Sequence, residues 1–376
     1  MSDRTARAAL SRLSEPGDVR LSVLVGRLGA NRVYELLREE QDVEGVYTDV
    51  AARLRDLEPE REIEEAAAQG IRFVCPGDDE WPRAVEDLDR VEPLMNRGGT
   101  PLGLWVRGSL RLDEVCRRSV AVVGSRSATT YGAGVASDIA AHVSHQGMTV
   151  VSGAAFGIDQ AAHRGALASS GVTVAVLACG VDRAYPAAHR NLLDYIADTG
   201  LVVSELPPGC SPTRVRFLSR NRVIAALTQG TLIVEAAVRS GALNTANWAG
   251  RLNRVLMGVP GPVTSAPSQG VHELIRARGA SLVTRGEDVL ELLSPSGSFL
   301  SEAPRGPVLP EDRLSDREMQ ALDAVPMMRP ASPDSIARTA GLAPEEVSEI
   351  LARLQKVGLA ERTTSGWRRA AQVPPG

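Results

Sequence analysis

Lysine is nearly absent. Lys356 is the single lysine, and every other member of the 42 Lys and Arg residues is an arginine. A net charge of −4 excludes a globally basic nucleic-acid coat, so any bound anion has to be held by local arginine clusters. Aromatics make up only 3% of the 376 residues, which gives weight to any Phe or Tyr beside a polar motif. Four cysteines (Cys75, Cys116, Cys179 and Cys210) are scattered, with no CxxC or Cys/His spacing. That pattern argues against a zinc site and suits a reducing compartment. No run of 18 apolar residues occurs, and the opening MSDRTARAALSRL has no signal-peptide core. The expectation is a cytoplasmic protein without a membrane segment.

What is present falls into blocks. Residues 1–68 read as short helices: Val19, Leu21, Leu24, Val25 and Leu28 form a helical stripe that Gly29 ends. Residues 69–112 break into strand-like and Pro/Gly-rich pieces, IRFVCPGDDEWP and GLWVRGSL, an extension of the central block. In that block, over 113–295, short β-branched runs (SVAVVG, TVVSG, TVAVLACG, LVVSEL, TLIVEA, RVLMGVPG) alternate with helical stretches. The alternation predicts an α/β fold with a doubly wound, Rossmann-like parallel sheet. Residues 296–311 are Ser/Pro/Gly-rich and read as a linker. In 312–376, three helical patterns and a β-like tail follow the order of a winged helix.

Open parallel sheets bind ligands beyond the carboxyl ends of their strands. The segments expected there are GSRSATTYG, SGAAFGIDQAAH, CGVDRAYP, ELPPG and EAAVRSGALNTAN. Glycines, hydroxyls and helix N-termini make such a rim suited to phosphate. The first turn is Gly124-Ser125-Arg126-Ser127 rather than GxGxxG, and no acidic residue follows Ser152-Gly153, so a nicotinamide cofactor is not expected. No P-loop occurs, and no cofactor or metal is implied. Arg126 adds a forked donor suited to a phosphodiester.

The run SRNRVIAAL raises a sharper question. With Ser219 as an N-cap, Arg220, Asn221 and Arg222 would form a first helical turn around one anion, with Arg214, Arg216 and Phe217 just upstream. Phe156, Phe217, Tyr131 and Tyr185 lie in or beside these loops and are candidate base-stacking platforms. Catalytic groupings are weak. Asp159 and His163 share a helix face without a nucleophile, and Glu235 reads as a hydrogen-bonding residue.

Seven ordered motifs then resemble one family. VVGSRSATTYG, VVSGAAFGIDQAAHRGAL, VAVLACGVDRAYP, LVVSELPPG, FLSRNRVIAAL, LIVEAAVRSGALNTA and VPG with GVHELIRARGASLV are similar, in order, to the core of the DNA-processing protein A family. The helical start resembles that family's SAM-like domain and the tail its winged-helix domain. The resemblance implies a non-enzymatic, homodimeric single-stranded DNA-binding protein of natural transformation and competence. It protects incoming DNA and loads the RecA recombinase onto it, against single-strand-binding protein. Carried over residue by residue, the binding positions are Arg126, Ser152, Gly153, Phe217, Arg220, Asn221 and Arg222. Phe156 and Arg216 join them from the loop chemistry above.

The competing reading is a nucleotide-processing Rossmann enzyme resembling nucleoside monophosphate hydrolases, using Glu235 and the Ser240-Gly241 turn. Those enzymes want a GGxGT turn before the glutamate, whereas here RSGALNTAN follows it. A winged-helix transcription regulator is a third reading. It is disfavoured by Glu345, Glu346 and Glu349 on the candidate recognition helix, which leaves a protein contact or a DNA contact through the RTTSGWRR wing.

Overall fold

The computed structural model describes residues 1–39, 54, 57–295, 297–299 and 309–370. The chain divides into two compact units, Met1–Ser301 and Glu302–Gly376. Most of the linker expected over 296–311 lies outside the described residues.

The first unit is built on nine strands: β1 (Ile71–Val74), β2 (Leu104–Arg107), β3 (Ser119–Val123), β4 (Thr149–Ser152), β5 (Thr173–Val176), β6 (Leu201–Ser204), β7 (Gly230–Ile233), β8 (Val255–Gly258) and β9 (Ser281–Leu282). Their spatial order is β1-β2-β6-β5-β4-β3-β7-β8-β9. The seven from β6 to β9 are parallel, as the alternating pattern predicts. β1 and β2 extend the sheet antiparallel at one edge, so the 69–112 extension belongs to the sheet itself. The chain winds from β3 outward to β6, then crosses back to place β7 on the other side of β3. The crevice beyond the ends of β3 and β7 is therefore the topological switch point.

Side chains of β3 alternate between two cores. Val120 and Val122 pack with Ile139, Val143 and Ile158 on one face. Ala121 and Val123 pack with Val223, Ile224 and Leu227 on the other. These last residues lie on the helix Arg214–Leu227, which carries the arginine motif. Every residue from Ser219 to Leu227 on it is buried. The sheet covers one side, and the segment Arg83–Arg90 joins the same core through Val85 and Leu88.

The helices Asp3–Leu13, Val19–Leu28 and Ala30–Arg38 bury their own apolar cluster around Leu10, Leu24, Val33 and Leu37. Ala8 packs instead into the cluster that backs β1, β2 and β5. Arg4 donates to the Phe73 carbonyl of β1 at 2.6 Å.

The second unit has helices Asp316–Ala324, Pro333–Ala340 and Pro344–Lys356, then an antiparallel hairpin of β10 (Ala360–Thr363) and β11 (Gly366–Arg369). Leu322, Ile336, Leu351 and Trp367 form its core. Among the described residues no helix is long and apolar enough to cross a membrane.

Candidate nucleic-acid interface

A cleft of about 900 Å³ opens at the switch point. The turn after β3 contributes Gly124 and Arg126, and the segment after β4 contributes Ala155 and Asp159. The helix Arg214–Leu227 adds Phe217, Arg220 and Asn221, and the loop after β7 adds Arg239, Ser240 and Gly241. Five arginines line it (Arg126, Arg214, Arg220, Arg239 and Arg278) against one carboxylate, Asp159.

The arginine helix begins earlier than expected. Thr213 is its N-cap, with Oγ1 accepting from Arg216 N at 3.3 Å. The expectation that Ser219 opens the helix is therefore corrected. Ser219 is mid-helix, and its hydroxyl donates back to the Val215 carbonyl at 3.2 Å. Arg220, Asn221 and Arg222 fall in the second turn and beyond, where the helix is packed on the sheet, so they do not present free amide groups to a ligand.

The three side chains diverge. Arg220 is 7% exposed; its Nη1 donates to the Val176 carbonyl at 2.7 Å, and its buried Nε has no partner. Asp159 accepts from the Gly153 and Ala155 amides at 3.2 and 3.4 Å. Burial raises the Asp159 pKa, opposed by the Arg220 guanidinium and these amides. Burial likewise lowers that of Arg220; Asp159 opposes the shift and the nearby Arg126 charge adds to it. An anion beside Arg220 would relieve this crowding of positive charge. Asn221 donates from Nδ2 to the Gly241 carbonyl and to Asn244 Oδ1, both at 3.3 Å. Arg222 points elsewhere. It is 1% exposed, paired with Glu205 through both terminal nitrogens, and donates from Nε to the Gly99 carbonyl. Arg216 is held by Glu15, at 2.8 Å from Nε and 2.7 Å from Nη2. Neither Arg216 nor Arg222 lines the cleft, and their carboxylate partners give both a structural explanation.

The glycine and serine after β4 support the site from below. Ser152 is fully buried, and its hydroxyl donates to the Val122 carbonyl at 2.6 Å. Gly153 backs the Arg220 guanidinium. Of the four stacking candidates, the cleft is lined by Phe217 and Tyr185, whose ring centroids are 5.6 Å apart. The exposed Arg126 guanidinium lies 4.6 Å from the Phe217 centroid. Phe156 stands outside the cleft lining, edge-on to His189 at 4.7 Å. Tyr131 also lies outside it and donates to the Pro260 carbonyl.

Glu235 is engaged by the fold. Its carboxylate accepts from Thr129 N at 2.9 Å and Thr129 Oγ1 at 2.5 Å, at the N-terminus of the helix Thr130–His145. There a negative charge meets the positive end of the helix dipole. The residues that the sequence did not reveal are Glu205 and Glu15, the partners of Arg222 and Arg216, and the Arg239 and Arg278 side of the cleft.

The profile of the family described as DNA recombination-mediator protein A matches residues 72–294. The putative DNA processing protein DprA of Mycobacterium tuberculosis is 44% identical over 375 residues, covering 98% of this chain and 95% of that one. The X-ray structure of DprA from Streptococcus pneumoniae superposes with a TM-score of 0.63 at 29% identity, over 78% of this chain and 99% of that one. A structure of DNA processing protein A from Helicobacter pylori, described for its single-stranded DNA binding mode, superposes with a TM-score of 0.50 at 24% identity. It covers 58% of this chain and 94% of that one, a likeness of fold.

Proposed function

Because this chain belongs to the DNA recombination-mediator protein A family, we propose that it binds single-stranded DNA in the switch-point cleft and acts there without catalysing a reaction. The observation that carries this reading is the cleft's first limb: Arg126, Arg214 and Arg220 against one buried carboxylate, with Phe217 under the Arg126 guanidinium. Forked guanidinium donors suit phosphodiesters, and an aromatic face accepts any base, so the pairing favours a flexible single strand of any sequence. In this proposal Arg126, Arg214 and Arg220 meet phosphates, Phe217 and Tyr185 meet bases, and Asn221 fixes the neighbouring loop. Gly153 and Ser152 hold the floor, and Arg222 and Arg216 anchor the helix.

The proposal includes partners. Family membership supports a homodimer that helps RecA replace single-strand-binding protein on DNA in transformation or recombination. It also supports a SAM-like start and a winged-helix second unit. Two clefts linked in a dimer would gain avidity on a long strand without any new contact.

The test is a titration of labelled oligo(dT) and matched duplex at two salt concentrations. Single strands should be preferred, and log K should fall with log salt by about 0.7 per neutralised phosphate. Equal affinity for duplex, or no salt response, would refute the reading. For the partners, solution mass and a RecA strand-exchange assay on coated DNA decide: a shortened lag supports mediation, an unchanged lag refutes it.

A further inference from the structure

Past Asn221 the cleft continues along the loop after β7 and the helix Ala242–Arg251. This limb uses the RSGALNTAN motif, for which neither Phe217 nor Arg126 has any need. Arg239 and Arg278 are both exposed, and among the described residues neither has a carboxylate at salt-bridge distance. Arg278 donates to Asn247 Oδ1, which orients its guanidinium without neutralising it. The Asn221 amide joins the two limbs through Gly241 and Asn244. The hydrophobic residues here are aliphatic, Val238 at 62% exposure and Met95 at 69%, and among the described residues no aromatic ring lines this limb.

We infer that Arg239 and Arg278 form a second subsite that grips the sugar–phosphate backbone of nucleotides running on from those stacked at Phe217. The inference rests on the single-strand reading above. Its grounds are chemical. Exposed forked donors pair well with phosphate oxygens, while the aromatic faces on which bases stack, Phe217 and Tyr185, lie in the other limb. Like charges gathered in a concave surface repel one another until an anion neutralises them. The continuity of the cleft makes that anion the next stretch of the same strand. One limb thus reads as the place of base contact and the other as a phosphate track.

The experiment compares the full-length wild type, Arg239→Ala/Arg278→Ala and Arg239→Lys/Arg278→Lys, using oligo(dT) probes of about 4 and about 8 nucleotides at two salt concentrations. The alanine variant should bind the short probe as wild type does. It should bind the longer probe roughly tenfold more weakly or worse, with a salt slope shallower by about 1.4, the value for two lost phosphates. The lysine variant keeps both charges and should retain most of the slope, which guards against a folding defect. A long-probe affinity and slope unchanged in the alanine variant would overturn the second subsite while leaving single-strand binding intact. Equal weakening on both probes would also overturn it, because the limb would then not be an extension. If the wild type binds neither probe, the single-strand reading falls and takes this inference with it.

Discussion

Gly153 lies directly against the guanidinium of Arg220: a Cβ on Gly153 would fall 1.7 Å from Nη1 and 2.3 Å from Cζ. The requirement is for space, since its backbone is not in the left-handed region. Gly153→Ala must push Arg220 away from the Val176 carbonyl to which its Nη1 donates. Overpacking of this kind costs about 1–3 kcal/mol. Thermal unfolding should show that loss, and oligo(dT) affinity should fall with it. A folded Gly153→Ala protein with wild-type affinity would remove Arg220 from the binding site.

Arg222 and Arg126 should separate cleanly. Arg222 and Glu205 form a buried pair with side chains 1% and 9% exposed. Removing one partner strands the other charge, so Arg222→Ala should cost about 3–5 kcal/mol of stability. The protein that remains folded should keep its affinity for oligonucleotide. Arg126 is exposed, with the Phe217 ring beneath it, so Arg126→Ala should barely change the unfolding midpoint. It should weaken binding by about 1.5–3 kcal/mol, the scale of a charge-assisted contact. Denaturant melts and titrations on both variants check this, and a reversal of the two phenotypes would show that the roles are misassigned.

The parts of the molecule legible in the sequence are those set by local pattern. SVAVV and TVAV read as buried parallel strands because valine dominates short runs that no charged residue interrupts, and they are β3 and β5. The start of the arginine helix is less legible because two residues compete for the cap: Thr213 after Pro212, and Ser219 inside the cluster. Both are good N-cap types, and the packing of Ser219 through Leu227 against the sheet decides between them. The partners of the arginines are not legible at all. Glu205 is 17 positions from Arg222 and Glu15 is 201 from Arg216, and neither separation is a local helix or strand repeat that would pair the two ends. The antiparallel pairing of β1 with β2 is hidden for the same reason, since it spans residues 71–107.

His163 should make the first unit acid-sensitive. It is fully buried, and Thr173 Oγ1 donates to the Val150 carbonyl, so the 2.7 Å contact with His163 Nδ1 is donated by the ring. Nε2 is then an acceptor with no partner, and a proton added there would be buried unpaired. Burial first, then the His189 and Arg220 charges, push its pKa from 6.5 down to about 3. Because the folded value is the lower one, the unfolded chain binds the extra proton between these limits. Stability is therefore full above pH 6.5 and falls as the pH drops toward 3, by about 1.4 kcal/mol per unit. Asp159, with a raised pKa, works in the opposite sense as the pH rises from 3.8. Urea melts across this range should show a shallower acid loss in His163→Asn than in wild type; parallel curves would rule His163 out as the cause.

Cutting the chain between its units should leave oligonucleotide binding in place. Every residue assigned to the cleft precedes Ser301, and Met1–Ser301 has its own cores. In the second unit, several arginines that could meet DNA are already paired. Arg317 sits 2.7 Å from Glu346, Arg353 3.4 Å from Glu318, Arg368 2.5 Å from Glu361 and Arg369 2.9 Å from Asp323. Exposed pairs like these are individually weak, yet they lower the net positive field of that surface. The helix Pro344–Lys356 also opens with Glu345 and Glu346, which would face phosphates if it entered a groove. A fragment of residues 1–301 should therefore bind oligo(dT) with the affinity and salt slope of the whole chain, while an isolated 302–376 fragment should show little salt-dependent binding. The comparison needs circular dichroism and solution mass on the same samples, so that a lost fold or a changed oligomer is not read as a lost site. If the folded 1–301 fragment binds no oligonucleotide, the affinity resides in the second unit and the cleft is not the interface.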